Sequence, residues 1–168
     1  VLFRSEDLRR FGGDELALRW SRGSIGALKT FDGAVMKERR DAALEFLETA
    51  SRASEEDFRN VIAASGDVSR SKEGFESNLN TLAVLMEDLL YLREGVAEKL
   101  VNVDIEDRLA TLAATLSSEQ LIKLAEFLRT IEVHLNNYGN RQMLTDVLAL
   151  TANAALSKLA NDIAVKSR

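Results

Sequence analysis

Apolar residues recur along this chain at the three- and four-residue spacing that places them on one face of an α-helix. The longest stripe comprises Leu79, Leu82, Ala83, Met86, Leu89 and Leu90, widened by Leu85 and Leu92. A stripe of this width predicts a helix that is largely buried. Proline, the strongest helix breaker, is absent from all 168 residues. We therefore predict an all-α fold.

Two short helices are predicted near the start of the chain. Asp14 follows two glycines and is expected to cap a helix that ends at about Trp20, and Ser24 is expected to cap a second helix from Ile25 to Phe31. Asp32-Gly33 should then close the second helix, because glycine adopts positive φ angles readily. Both helices are too short to be stable alone.

Longer helices follow, and their lengths predict an antiparallel bundle with connections of a few residues. The predicted helices begin at Val35, at Ser54, ahead of Leu79, at Asp104, at Ser117 and at Asn140. Helix ends are predicted near Arg52, Gly95 and Tyr138, and a loop is predicted from Gly66 to Arg70. Asp104 and Asn140 are predicted N-caps. Ser117 with Gln120 fits a capping box, in which each residue satisfies a backbone N–H of the other.

The change from short to long helices predicts a boundary between Gly33 and Arg40. We divide the chain into residues 1–33 and 34–168. The boundary region does not have a linker-like composition, so the two parts are expected to pack together. Because the chain opens with the apolar Val1 rather than Met, we interpret it as a fragment of a longer protein.

Composition narrows the class of protein. A net charge of -5 and a pI near 5.1 argue against a free-standing nucleic-acid binder, which needs concentrated Lys and Arg. The basic cluster Lys37, Arg39 and Arg40 is interleaved with acids and lacks stacking aromatics, so we interpret it as a solvated helix face. No window is apolar enough to span a bilayer, and no signal pattern is present. These features predict a soluble, intracellular protein.

Candidate catalytic and metal-binding residues are few. His134 is the only histidine, and without cysteine it cannot complete a zinc site. No nucleophile elbow surrounds a serine, and no glycine-rich loop precedes a Lys-Ser or Lys-Thr pair. The acidic clusters 55–57 and 106–107 follow predicted N-caps, where carboxylates offset the positive end of a helix. We predict no catalytic residue, no metal and no cofactor.

The second half of the chain carries a more specific pattern. Its segments are Glu87 to Gly95, Val101 to Asp104, Leu109 to Ala113, Leu116 to Leu121 and Asn140 to Leu148. Their order and spacing resemble the C-terminal part of the delta-prime subunit of the bacterial DNA polymerase III clamp loader. The resemblance extends over about 14–159 and is weakest between Ala34 and Arg70.

An upstream segment, Ala17 to Leu28, resembles the end of the lid of clamp-loader AAA+ modules. Relatives that hydrolyse ATP carry Gly-Ser-x-Arg there, and the arginine reaches the nucleotide phosphates. This chain has Gly23-Ser24-Ile25-Gly26, which is similar to the Gly-Ser-x-Gly of delta-prime subunits. Gly26 has no side chain with which to contact a phosphate.

The resemblance implies that residues 1–33 are a lid remnant and residues 34–168 a collar domain that joins clamp-loader subunits. It implies gamma/tau-type and delta subunits as partners, DNA contact only through the complex, and a bacterial cytoplasmic location. It also implies a role that is not enzymatic, without a membrane or a small-molecule substrate. The implied subunit-interface residues are Arg93, Asn102, Asp104, Asn140, Arg141 and Leu144.

Two alternatives remain at this point. A generic helical adaptor would show the same caps and stripes, with the Gly-Ser-Ile-Gly match arising by chance. A helical enzyme with a carboxylate or phosphate site would need inward-facing acids three or four residues apart on two helices, and no such acids appear in the pattern.

Overall fold

The computed structural model describes residues 9–52, 72–137 and 141–156 of the chain. These residues form seven α-helices: α1 Glu15–Trp20, α2 Ile25–Lys29, α3 Gly33–Arg52, α4 Lys72–Arg93, α5 Glu106–Ala113, α6 Ser118–Asn137 and α7 Arg141–Leu156. Single turns of 3-10 helix cover Arg9–Phe11, Ala97–Lys99 and Val103–Ile105. The described ranges contain no strand, and the predicted all-α fold is confirmed.

Helix α4 is the central helix of the bundle. It packs against α3, α5 and α6, and α7 packs against α6 and α3. The stripe predicted from the sequence is buried, with Leu79, Leu82 and Leu89 at 0% exposure. Full burial of each such leucine stabilises the fold by about 1.5–3 kcal/mol. Val84 and Asp88 are also buried, so α4 is covered on the side away from its leucine stripe as well.

Helices α1 and α2, which we call the N-terminal helix pair, have a separate small core. It consists of Ala17, Leu18 and Leu28, with Ile25 and Phe31 packed against it. Gly13 lies beside this core with a φ of +102°, and a Cβ atom at Gly13 would come within 2.9 Å of Leu28 Cδ1. Only glycine fits this position without strain or a steric clash.

The predicted caps of these two helices are confirmed. Asp14 Oδ1 accepts a hydrogen bond from Ala17 N at 2.8 Å, and Ser24 Oγ accepts one from Ala27 N at 3.2 Å. Further along the chain, Gln120 N donates to Ser117 Oγ at 3.2 Å while Ser117 N donates to Gln120 Oε1 at 2.9 Å. This reciprocal pair is the predicted capping box at the start of α6.

The prediction that Asp32-Gly33 closes α2 is wrong. Helix α2 ends at Lys29, and Gly33 is the first residue of α3 rather than a residue of positive φ. Asp32 Oδ1 instead accepts hydrogen bonds from Ala34 N at 3.0 Å and Val35 N at 3.1 Å. A short carboxylate side chain satisfies the free N–H groups of the helix that follows it, so Asp32 caps α3.

The prediction that Asp104 caps α5 is also wrong. Ile105 precedes α5 and makes no side-chain capping bond. Asp104 lies in the single 3-10 turn before it, and its carboxylate binds an arginine of α3. Asp104 forms an ion pair with Arg40 instead of the capping hydrogen bond to the start of α5 that the sequence predicted.

Several other predictions lie outside the described residues. They are the helix beginning at Ser54, the loop from Gly66 to Arg70, the end of α6 at Tyr138 and the capping role of Asn140.

Candidate functional site

A buried carboxylate on α4 organises the connection between α4 and α5. Asp88 is 0% exposed, and its Oδ1 accepts a hydrogen bond from Val101 N at 2.8 Å. Its Oδ2 accepts two more, from Asn102 N at 2.9 Å and from Asn102 Nδ2 at 2.7 Å. Because the connection is not regular helix here, its backbone N–H groups need such an acceptor. Asp88 thereby fixes the position of Asn102.

Asn102 is the centre of a polar network that joins three parts of the chain. Its side chain is fully buried, and its Oδ1 accepts from Trp20 Nε1 at 3.1 Å and from Arg40 NH1 at 3.4 Å. Its amide group donates to Asp88. The network therefore connects α1, α3 and α4 through a single side chain.

Arg40 corrects the interpretation of the basic cluster as a solvated face. Lys37 is exposed and Arg39 is half-buried, but Arg40 is only 3% exposed, and its NH1 lies 2.7 Å from Asp104 Oδ1. Arg40 was identifiable in the sequence, because it occupies the i−3 position of Ala43 and so lies on the apolar face of α3. A charge on such a face needs a partner, and Asp104 supplies it.

Two further arginines connect the N-terminal helix pair to the same region. Arg19 NH1 donates to the carbonyl oxygens of Leu100 and Glu98 in the connection after α4, at 3.4 Å in the case of Glu98. Arg22 NH2 lies 2.5 Å from Glu87 Oε2 on α4. Nothing in the sequence identifies Arg19, Arg22 or Trp20 as contact residues, because their partners are 65 to 82 residues away.

A bidentate ion pair joins α3 to α5. Arg108 Nε lies 2.8 Å from Glu48 Oε1, and Arg108 NH2 donates to Glu48 Oε2 at 3.1 Å. The hydrogen bond from Arg108 lowers the pKa of Glu48 below its usual value, and the charges of Arg108 and Arg52 act in the same direction against partial burial. The same bond raises the pKa of Arg108.

This ion pair predicts an acid-sensitive contribution to stability. Because the pKa of Glu48 is lower in the folded state, the contribution is present above the unfolded pKa of about 4.3 and is lost as the pH falls through the folded value. Arg108 is partly exposed, so we expect Glu48→Gln to cost no more than about 1 kcal/mol at pH 7. Urea unfolding at pH 7 and at pH 3 should show the difference shrinking in acid. A difference equally large at both pH values would contradict the assignment. Glu38→Gln, the same change at an exposed glutamate of α3, is the control.

The last helix exposes an apolar stripe. Met143, Val147, Leu150 and Ala154 follow the spacing of four, three and four residues that is typical of helix-to-helix seams. Met143 is 65% exposed and Leu150 is 52% exposed, while Val147 is half-buried. We call these four residues the outer stripe of α7. The stripe lies opposite Leu148 and Ala152, which face the core.

The neighbouring helix α6 also exposes two large apolar side chains. Ile122 is 47% exposed and Val133 is 54% exposed, and polar residues, Glu126 and Arg129 among them, lie between them on the same face. Helices α6 and α7 pack against each other. Four of the six exposed large apolar side chains in the described ranges lie on this pair of helices. Apolar residues concentrated on adjacent helices are typical of an interaction surface.

The structure distributes the predicted interface residues over different environments. Arg93 is exposed in the last turn of α4, Asn102 is buried, and Asp104 is exposed but paired with Arg40. Leu144 is half-buried and packs against the core. Arg141 begins α7, but its side chain, like Asn140, lies outside what the structure describes. Their contact with another subunit stays a prediction, and Asn102 could affect such a contact only by positioning its neighbours.

The polar groups of this region bind one another. Within the described ranges, no group of three or more His, Asp or Glu side chains could hold a metal ion. No helix there has the length and apolar character needed to cross a membrane.

The fold and these contacts define a helical bundle domain with an internal polar network and an exposed apolar helix face, an arrangement typical of protein-association domains. The model of the family described as DNA polymerase III, delta subunit, C terminal, matches residues 37–159. The chain belongs to this family, and it therefore contains a clamp-loader subunit domain of DNA polymerase III. No curated protein and no solved structure matches it.

Proposed function

We propose that residues 34–168 are the collar domain of a delta-prime-like clamp-loader subunit, and that the domain joins this subunit to its partners. The observation that carries the proposal is the family match over residues 37–159, which covers the bundle nearly from the start of α3. A clamp-loader delta C-terminal domain is not a catalytic domain, so the role is association. The partners are gamma/tau-type and delta subunits, with DNA reached through the complex in the bacterial cytoplasm.

The division at residue 33 has independent support from packing. The N-terminal helix pair has its own core, and α3, which begins at Gly33, belongs to the larger one. We propose that residues 1–33 are the remnant of an AAA+ lid. The delta-prime assignment rests on the glycine in Gly23-Ser24-Ile25-Gly26.

Gly26 is not imposed by the local backbone. It is exposed in α2, its φ is not positive, and a Cβ atom there would meet only Ser24 Oγ at 3.8 Å. The fold would therefore accept an arginine side chain at this position. The absence of arginine supports a subunit that does not contact nucleotide phosphates.

We predict that this chain binds no nucleotide. It lacks a phosphate-binding loop, and Gly26 cannot supply the charge that a lid arginine supplies. Calorimetric titration with ATP and magnesium should give no saturable heat. Micromolar binding would contradict both the lid assignment and the proposed non-catalytic role.

The outer stripe of α7 is the surface best suited to the association. An interface needs an apolar centre that can be desolvated at little cost and a polar rim. The stripe has no charged member, whereas the exposed face of α6 between Ile122 and Val133 includes Glu126 and Arg129. We therefore assign the centre of the contact to α7 and the rim to α6.

We expect Leu150→Glu to reduce association with the cognate gamma-type and delta collar fragments at least tenfold. A carboxylate in the apolar centre would lose its hydration without gaining a partner. Because Leu150 is half-exposed in the isolated chain, the fold should tolerate the change. Light scattering after size-exclusion chromatography of the mixed fragments measures the complex mass, with and without added salt.

Val35→Glu is the matched control, because Val35 is also an exposed apolar residue, at 40%, but lies on α3. It should leave association unchanged. A stable interface buries at least about 1,000 Å², and its apolar part persists at salt concentrations that screen surface ion pairs. If the parent chain shifts neither partner at tens of micromolar, the association function is contradicted and the generic adaptor interpretation gains support. If Val35→Glu weakens association as much as Leu150→Glu, only the location is wrong.

A further inference from the structure

The N-terminal helix pair is joined to the bundle mainly by polar contacts. Its three-residue core is separate from the bundle core. A cleft of about 470 Å³, lined in part by Trp20, Phe31 and Met36, lies between the pair and helices α3 and α4. Tight apolar packing therefore does not account for the position of the pair on this side.

The polar contacts converge on a short stretch of the bundle. Trp20 binds the Asn102 side chain, and Arg19 binds the carbonyls of Leu100 and Glu98. Arg22 binds the carboxylate of Glu87. The Arg22 and Glu87 side chains are about half-exposed, so solvent weakens their ion pair. Asn102 and Leu100 are both buried acceptors, so solvent weakens their hydrogen bonds to the N-terminal helix pair less than it weakens the Arg22–Glu87 ion pair.

The orientation of the Asn102 amide is determined from the bundle side. Asp88 only accepts hydrogen bonds here, so the NH2 end of the amide must face it. The oxygen end is thereby directed toward Trp20 and Arg40, where its two lone pairs are both used. The acceptor that meets the Trp20 indole is thus in place whether or not the N-terminal helix pair is docked.

We propose that Asn102 is a positioning residue that fixes the N-terminal helix pair to the bundle, so that the two move as one body. This role differs from a contact with another subunit and does not depend on one. It predicts that loss of the Asn102 contact frees α1 and α2 while leaving the helices of the bundle intact.

The test is amide hydrogen exchange in the isolated chain, followed by mass spectrometry. In Trp20→Phe the aromatic ring remains but the indole N–H is lost, and exchange across 15–29 should accelerate about five- to tenfold. Asn102→Ala, which removes the acceptor itself, should accelerate it further. Exchange across 79–92 and 121–131 should change by less than about twofold in Trp20→Phe, because the Asp88 contacts remain.

Arg9→Ala is the matched control, because Arg9 pairs with Glu15 at 3.1 Å within the N-terminal region and, among the described residues, makes no hydrogen bond or ion pair to the bundle. It should leave exchange across 15–29 unchanged. A second readout is the near-ultraviolet circular dichroism of Trp20, the only tryptophan, which should weaken in Asn102→Ala while the far-ultraviolet helix signal persists.

Two results would overturn the proposal. In the first, exchange across 15–29 is the same in both variants as in the parent chain. In the second, the amide exchange rate rises by the same factor in 15–29 and in 121–131. That result would mean that the N-terminal helix pair unfolds only together with the bundle. Neither result bears on subunit association, because that is measured separately as complex mass.

Discussion

Replacing Asp88 with alanine should lower the free energy of unfolding by about 4 kcal/mol. Each buried N–H that loses its acceptor costs about 1–3 kcal/mol, and Asp88 accepts from the backbone of Val101 and from both nitrogens of Asn102. The total is a large part of the 5–15 kcal/mol that stabilises a typical domain. Urea unfolding followed by circular dichroism measures the change.

Two variants show whether the loss arises from these hydrogen bonds. Asp88→Asn keeps the size of the side chain and one acceptor oxygen, but it points an NH2 group at donors, so we expect about half the loss. Glu87→Ala removes the neighbouring acid, which is half-exposed and pairs only with Arg22 among the described contacts, and should cost less than about 1 kcal/mol. Equal losses in Asp88→Ala and Glu87→Ala would show that the buried network contributes no more than a surface pair.

Replacing Phe46 with alanine should lower the free energy of unfolding by about 3–5 kcal/mol. Phe46 lies on α3 and is 0% exposed within the main core. Removing the ring loses the free energy gained when it moves from water into the core. It also leaves a cavity that the close-packed neighbours fill only in part. Thermal and urea unfolding of the variant both report the loss.

Phe11→Ala is the corresponding control, because the same ring is removed from a side chain that is 52% exposed. We expect a change of less than about 0.5 kcal/mol. If Phe46→Ala proved equally mild, the interface of α3 with α4 and α7 would not be packed as described.

The features predicted correctly from the sequence are those set by neighbours three or four residues apart. The leucine stripe of α4, the Asp14 and Ser24 caps and the Ser117–Gln120 capping box are all of this kind. The prediction for Asp32-Gly33 is wrong within the same range, because the Asp32 carboxylate can only accept hydrogen bonds and therefore caps the start of α3 instead of closing α2.

The polar network could not be predicted in the same way. Asn102 meets Arg40 and Trp20 across 62 and 82 residues, and such pairs depend on how whole helices pack. A polar residue on an apolar stripe was the available signal for Arg40 on α3, whereas Asp88 lies away from the leucine stripe of α4 and carries no such signal. The linear sequence identified the partners of neither residue. The outer stripe of α7 was not predicted from the sequence, because α7 has apolar residues on two faces and the packing of the bundle decides which face is exposed.

The spacing of the network partners along the chain also predicts the order in which they meet during folding. Asp88 is only 13 and 14 residues from the backbone groups that it binds, so closing this loop costs little chain entropy. The contacts of Asn102 with α3 and α1 close loops several times longer and are correspondingly slower to form. We therefore expect the turn after α4 to form as a local unit first and to present a finished acceptor to α3 and α1, which dock on it later.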